Sequence, residues 1–517
     1  METLKLYLSP TEGQGFKVIF TTSLVGEGET ESSLPFFAGE KNWRSPLLRC
    51  LELTAFNSQY FQPDEQEWMV ASGILDEKRQ NFSVQYLGNI GQSLYQSLFP
   101  ADSQAKNALL ALLRSHEAKN SQLHIQLMFT AGVMRGVRLA DYPWELLHDG
   151  KSFLLLHHNV TISRYIAYEG VRPNLPPTDQ INILLLSSTA SDTELGLQQL
   201  GDQEAQAIRL GLEKARNAGY INFVQLEEVT KAQLRTYLTE HRGEDAPHVL
   251  HFDGHGLFGK RCSHPKCRTM HNGNKILNCR QCHTLLPEAR GYLVFEDGKG
   301  GADYVSAEEL GVLLSKSSLG DGNNKSGGIA LVVLSACQSA MTLEGDSVFN
   351  GTAQNLISQR IPSVVAMQYS VTVASATRFT EQFYRSLGQR NSLGIAVSQA
   401  REAMGIEGNQ WYRPVLYLRW EDNEGGQLFG DSSYIGTSSQ VDLQSKPDKK
   451  PLSRIIKIQI ESLKKELKKL EKDFEDVDNK RIRESNPQER NNLQLQLDDI
   501  AKQMEEKEQK LTDYLSN

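Results

Sequence analysis

A chain of 517 residues exceeds what one hydrophobic core supports, roughly 250–300 residues, so two or three units are expected. Its hydrophobic content of 39% suffices for packed domains, and its net charge of −8 argues against a general nucleic-acid binder. The opening METLKLYLSPTEG lacks a basic stretch leading into an apolar one, and no run approaches the ~18 apolar residues of a membrane span, so a cytoplasmic chain with no membrane partner is expected.

Residues 1–175 mix strand and helix signals and hold no catalytic constellation. LKLYL, FKVIFTTSLV and LHIQLMFT read as strands, ALLALLRSH as an apolar helix. The stretch YPWELL…FLLLHHNVTISRY is dense in large apolar residues and should be buried. From about residue 180 the pattern alternates. Apolar runs at 181–188, 221–229, 248–252, 291–296, 329–336 and 363–371 are short, rich in Val, Ile and Leu, and read as strands covered on both faces. Between them lie amphipathic segments such as QEAQAIRLGLEKARNA and SAEELGVLLSK. The alternation predicts an α/β fold with a mostly parallel sheet, whose reactive residues sit beyond the carboxyl ends of the strands. Residues 424–452, rich in Gly, Ser, Gln and Asp, read as a linker. After it an apolar stripe from Ile456 to Val477 alternates steps of four and three, and a second runs from Leu493 to Leu511. Between them Asn486, Pro487 and Glu489 suit a helix start, so residues 453–517 are expected to form a C-terminal α-helical hairpin or to pair with another chain.

Two apolar runs carry chemistry at their ends. HVLHFDGHG ends in His255, flanked by Gly254 and Gly256, which are expected to let the backbone turn sharply; LVVLSACQSA leads to Cys337. Either residue alone is more often part of a core. Together they can deliver an imidazole and a thiol to one sheet edge, with the amides of Gly256 and Cys337 as oxyanion donors, which is what a cysteine peptidase requires. His251 is read as structural. Asp253 and Asp346 are acidic and local, and can bind a basic substrate side chain; for Asp346 a turn carboxylate is the plainer reading.

The remaining chemistry is a cysteine quartet: Cys262, Cys267, Cys279 and Cys282. Two close pairs joined by a polar loop match a zinc-ribbon-like insertion over 260–288, and four thiolates make a closed, structural Zn²⁺ site. A Cys₃His set using His264, His271 or His283 is the alternative. The insertion follows GHG directly and is expected at the rim of the active site.

HFDGHG followed by VVLSACQSA resembles the CHAT domain, a branch of the caspase–separase clan of cysteine peptidases. LADYPWELL…FLLL…ISRY is similar to the N-terminal region of that domain, and RIPSVVAMQYSVT, ATRFTEQFYRSLG and AVSQAREAM resemble its C-terminal part, so the resemblance spans roughly residues 120–420. It implies a caspase-like sandwich with His255 as base and Cys337 as nucleophile. The Arg-lined pocket of caspases proper has no match here, which leaves specificity open. The C-terminal segment resembles the helical effector-associated domains of bacterial defence proteins, which implies pairing with an adaptor or sensor protein.

The expected organisation is an N-terminal α/β region (1–175), a caspase-like catalytic domain (176–423), the linker (424–452) and the helical adaptor (453–517). The expected function is a partner-regulated cysteine endopeptidase acting on a protein substrate in bacterial defence or regulated cell death. The rival is a non-catalytic CHAT scaffold that assembles complexes through its C-terminal helices, as a homo-oligomer or with a partner. A third reading, a nucleic-acid sensor using Arg261, Lys266, Arg268, Lys275 and Arg280, is disfavoured because the insertion lacks aromatic residues for stacking.

Overall fold

The computed structural model describes residues 2–430 except 12–14, 34, 39–40, 54, 131–138, 157–158, 169–177, 274, 319–327, 341–347, 406–408, 421–422 and 424; beyond residue 430 it describes only Val477 and Lys507, both helical. The expected linker (apart from residues 425–430), the C-terminal hairpin with its start at Asn486–Glu489, and Asp346 therefore lie outside the described residues. Residues 1–435 form one compact unit and residues 436–517 a second.

The chain begins with β1 (Glu2–Pro10), β2 (Gly15–Thr22), β3 (Gly26–Ser33) and a short pair, β4 (Phe37–Ala38) and β5 (Lys41–Asn42). Four helices follow: α1 (Arg44–Glu52), α2 (Pro63–Ala71), α3 (Tyr86–Leu98) and α4 (Gln104–Lys119), then β6 (Leu123–Thr130) and β7 (Val160–Ala167). The second half opens with β8 (Ile181–Ser187), α5 (Gln203–Asn217), β9 (Ile221–Gln225), α6 (Lys231–Glu240) and β10 (Val249–Arg261). It continues with β11 (Met270–Asn272), β12 (Arg290–Glu296), β13 (Ala302–Ser306), α7 (Ala307–Ser318), β14 (Leu331–Ala340) and α8 (Val348–Ser358). It closes with β15 (Ser363–Met367), α9 (Val373–Gly388), α10 (Leu393–Met404) and β16 (Pro414–Leu418). Local chemistry sets several of these boundaries. Ser103 and Thr230 each accept a backbone N–H three residues on, which caps α4 and α6.

Fourteen of the strands form one sheet, in the order β13-β12-β10-β14-β15-β16-β7-β6-β1-β2-β3, with β8 and β9 extending from β10 and β11 pairing its end. The ladders β9-β8-β10-β14-β15 and β7-β6-β1 are parallel; the antiparallel pairs lie mainly toward the edges. Strands from residues 1–167 and from 181–418 thus share one sheet, joined where β16 meets β7. Helices α5, α9 and α10 pack together, as do α6, α7 and α8. Along β10 every position from Val249 to Leu257 is buried, odd and even alike, as in a strand covered on both faces. β9 differs from the expectation. It stops at Gln225 and alternates buried and exposed positions, because it stands at an outer position with β8 as its one strand partner among the described residues.

Among the described residues no helix is long and apolar enough to cross a membrane.

Candidate active site

β10 and β14 run parallel and in register, so His251 pairs with Val333, Asp253 with Ser335 and His255 with Cys337. Neither candidate ends its strand, as the sequence had suggested. β14 continues to Ala340 and β10 to Arg261. The glycines make no turn. Gly254 is instead required for space: a Cβ there would lie 2.6 Å from the Phe252 ring and 3.2 Å from Ser188 Cβ. What marks the site is a change of neighbours. On one side of β10 the parallel partner β8 stops at Asp253, and the antiparallel partner β12 starts at Gly256. On the other side the register slips between His255 and Leu257, where β14 uses three residues to β10's two, and Gly256 has no registered partner on β14. Such bulges bend a strand and re-aim its groups.

His255 is 2% exposed, and its Nε2 lies 2.5 Å from the carbonyl oxygen of Gln198. A carbonyl only accepts, so this contact places the proton on Nε2 and leaves Nδ1 as the basic nitrogen. Gln198 was not identifiable from sequence, because its contribution is a backbone atom on the loop between β8 and α5. That loop is tied down from below. His251 Nδ1 contacts the Tyr384 hydroxyl at 2.9 Å, and its Nε2 lies 3.1 Å from Glu204 Oε1, which also accepts from Thr380 Oγ1 at 2.7 Å. The structural role read for His251 is what the geometry supports: it fixes the first turn of α5, just after the Gln198 loop.

Asp253 lies between Ser187 on β8 and Ser335 on β14, the three abreast in register. Two residues before His255, it shares that residue's face of the strand. It is 6% exposed and its Oδ2 accepts from Ser187 Oγ at 2.9 Å. Burial, and next the charge of Glu204, raise its pKa to about 8, against the pull of the Ser187 hydrogen bond.

The CHAT domain family model matches residues 89–415, more than half of the chain. The chain belongs to the CHAT domain family. That family is one of caspase-like peptidases, as the motifs had implied. The model of effector-associated domain 9 matches residues 453–514. A comparison with curated proteins finds no match. Among solved structures the CHAT chain is similar to a chain of the Saccharomyces cerevisiae separase–securin complex, at 12% identity and a TM-score of 0.35. The match covers 81% of this chain and 30% of that one, so the CHAT chain spans less than a third of its length.

The CHAT chain's insertion brings its four cysteines together, with all four sulfurs within 4.8 Å of one another. Cys262 Sγ lies 3.4 Å from Cys282 Sγ, and Cys267 Sγ 3.6 Å from Cys279 Sγ. None is in a disulfide. A Zn–S bond of about 2.3 Å gives a tetrahedron with S···S edges of roughly 3.8 Å, so the donor set fits a tetrahedral metal. His271 Nε2 lies 3.3 Å from Cys279 Sγ, placing it beside the sulfur cluster, where it can orient a ligand. The backbone supports the cluster through two tight turns: Cys267 N donates to His264 O, and His283 N to Cys279 O. The insertion leaves the sheet at the end of β10, which runs six residues past His255 to Arg261. Seven residues at about 3.3 Å each put Cys262 at most roughly 23 Å from His255.

Proposed function

We propose that this CHAT chain is a cysteine endopeptidase that cleaves a protein substrate on the carboxyl side of a basic residue, with Cys337 as nucleophile and His255 as base. The observation that carries the reading is the register of His255 against Cys337 on adjacent parallel strands, where β10 exchanges β8 for β12. In this mechanism Nδ1 of His255 takes the thiol proton, and the Cys337 sulfur attacks the scissile carbonyl carbon. The Gln198 carbonyl steadies the resulting imidazolium through Nε2–H. The amides of Gly256 and Cys337 receive the developing oxyanion. His255 returns the proton to the departing amine, and water then releases the acyl group from sulfur. Asp253, between Ser187 and Ser335, takes the basic side chain, and Asp346 is a second acidic candidate. Zn²⁺ held by Cys262, Cys267, Cys279 and Cys282 orders the insertion and has no open position for catalysis. The C-terminal helices connect the enzyme to an adaptor or sensor in a bacterial defence or cell-death pathway, which the match to effector-associated domain 9 supports. Cys50, Cys262, Cys267, Cys279 and Cys282, all without disulfides, accord with a reducing compartment such as the cytoplasm.

Profiling cleavage of protein and peptide libraries, with candidate partner proteins present, tests this reading. Wild type should cut after Arg or Lys, while Cys337→Ala and His255→Ala should each lose about 10³-fold or more in kcat/KM. Cleavage that survives Cys337→Ala would move the nucleophile elsewhere. Absence of cleavage under every partner condition would favour the scaffold.

A further inference from the structure

The insertion differs in charge from the rest of the chain. Residues 260–290 hold seven Lys or Arg against one acid, Glu288, in a protein of net charge −8. Arg261 and Arg290 are committed, to Asp303 and Glu308. Lys266, Arg268 and Arg280 are exposed and have no carboxylate partner among the described residues. They belong together, because the two metal-site turns lie side by side: Cys267 Sγ is 3.6 Å from Cys279 Sγ and 3.4 Å from Gln281 Oε1. Two large apolar side chains add to this. Leu277 is 67% exposed and Leu285 70% exposed, on the short segments entering and leaving the second turn. Those segments pair, with Asn278 opposite Leu285 and Leu286 N donating to Leu277 O at 2.8 Å. The backbone is therefore fixed while the leucines stand in water. A nucleic-acid surface explains the cations but not the leucines, and the module has no Phe, Tyr or Trp for bases to stack on. Cations beside exposed aliphatic groups fit an acidic protein segment with aliphatic anchors.

The module is also mechanically continuous with the proposed site. β10 carries His255 and then runs unbroken to Arg261, where β11 pairs with its last three residues. We infer that the insertion is an exosite that captures the protein substrate through an acidic, leucine-bearing segment, while the scissile bond lies at His255. This rests on the peptidase reading above. Cys262 lies at most roughly 23 Å along the strand from His255, so at about 3.3 Å per residue a spacer of about seven residues suffices to reach from the cleaved bond to the insertion.

The test uses the full chain and synthetic peptides that carry one Arg at the cleavage position and an Asp-Glu-Leu-Glu-Leu segment on either flank, spaced by about three or about ten residues. Affinity is read on Cys337→Ala by fluorescence anisotropy, and KM and kcat on wild type. The long-spaced peptide should have a KM about tenfold below that of the short-spaced one at equal kcat. Lys266→Glu/Arg268→Glu/Arg280→Glu, and separately Leu277→Asp/Leu285→Asp, should remove that advantage in both Kd and KM while leaving cleavage of the short-spaced peptide unchanged. Cleavage without preference for the acidic segment over a lysine-substituted one overturns the exosite alone. So does a single-stranded oligonucleotide that binds at those cations and displaces the peptide. No cleavage by wild type, with insertion-dependent peptide binding intact on Cys337→Ala, overturns the substrate role together with the peptidase reading.

Discussion

Asp253 and His255 sit two residues apart on one strand, yet their surroundings set them to opposite tasks. His255 is oriented by a carbonyl that fixes its proton on Nε2. Asp253 is buried near Glu204, and burial followed by that charge lifts its pKa to about 8. An aspartate in the unfolded chain titrates near 3.9. Between about pH 4 and pH 8 the folded chain therefore binds the extra proton, and this group's contribution makes stability fall as pH rises through that window. Replacing Asp253 with Asn should flatten that slope, so the urea midpoint of the variant should change less between pH 5 and pH 8 than that of wild type. Equal slopes would mean that the carboxyl is ionised throughout. The same group makes a kinetic prediction. On the proposed reading a cationic substrate side chain needs the Asp253 carboxylate, so kcat/KM for an Arg substrate should climb with pH toward about 8 in wild type and lose that limb in Asp253→Asn. A neutral residue at the same substrate position should show no such limb in either enzyme.

At the scale of strands and turns, what the sequence disclosed depended on how local the signal was. The cysteine quartet was legible because its ligands lie within one short segment and two tight turns bring them together. The apolar runs at 181–188 and 363–371 were legible as strands because burial on both faces leaves a continuous hydrophobic stretch. β10 was read too short. Two glycines around His255 look like the end of a strand, but β12 and β11 supply antiparallel partners that carry it on to Arg261. The insertion therefore starts only past Arg261, and a register between distant strands has no trace in spacing. The insertion's own apolar support is small, with Cys262, Cys279 and Leu286 as its buried members. Metal should therefore supply most of its order. One Zn²⁺ per chain is expected by elemental analysis, and Cys262→Ser should abolish it. Hydrogen exchange should then accelerate across residues 262–286 and β11, while β8 and β14 keep their protection. A metal-free variant whose insertion stays protected would show that side-chain packing alone suffices.

The molecule as a whole depends on a seam with few backbone ties. β16 and β7 join the two parts of the great sheet through one registered pair, Tyr417 with Arg164. Side chains carry the rest. Arg164 donates through Nε to Glu145 Oε1 at 3.1 Å, through Nη2 to Glu145 Oε2, and through Nη2 to Gln368 Oε1 at 2.9 Å. Gln368 passes the connection to the Asp141 carbonyl at 2.7 Å, and the Asp141 carboxylate takes Arg44 at 2.8 Å and Gln354 at 3.1 Å. Arg401 approaches Glu145 at 4.0 Å. Asp141 and Glu145 come from LADYPWELL, which was legible for its family resemblance and its apolar character from Tyr142 on but not for its two acids, the overlooked sign of buried partners. Glu145 is 0% exposed, so Glu145→Ala would leave two guanidinium groups in the core without their carboxylate. Breaking a buried pair from one side costs about 3–5 kcal/mol. Urea unfolding should report a loss of that order, and Glu145→Gln, which keeps an acceptor but not the charge, should recover only part of it. Because the bonds reach both sides of the seam, hydrogen exchange in Glu145→Ala should accelerate in β6 and β7 and in β15 and β16 alike. Acceleration confined to one side would mean that the two parts of the sheet hold together through apolar packing, and that the polar cluster serves only the side that loosens.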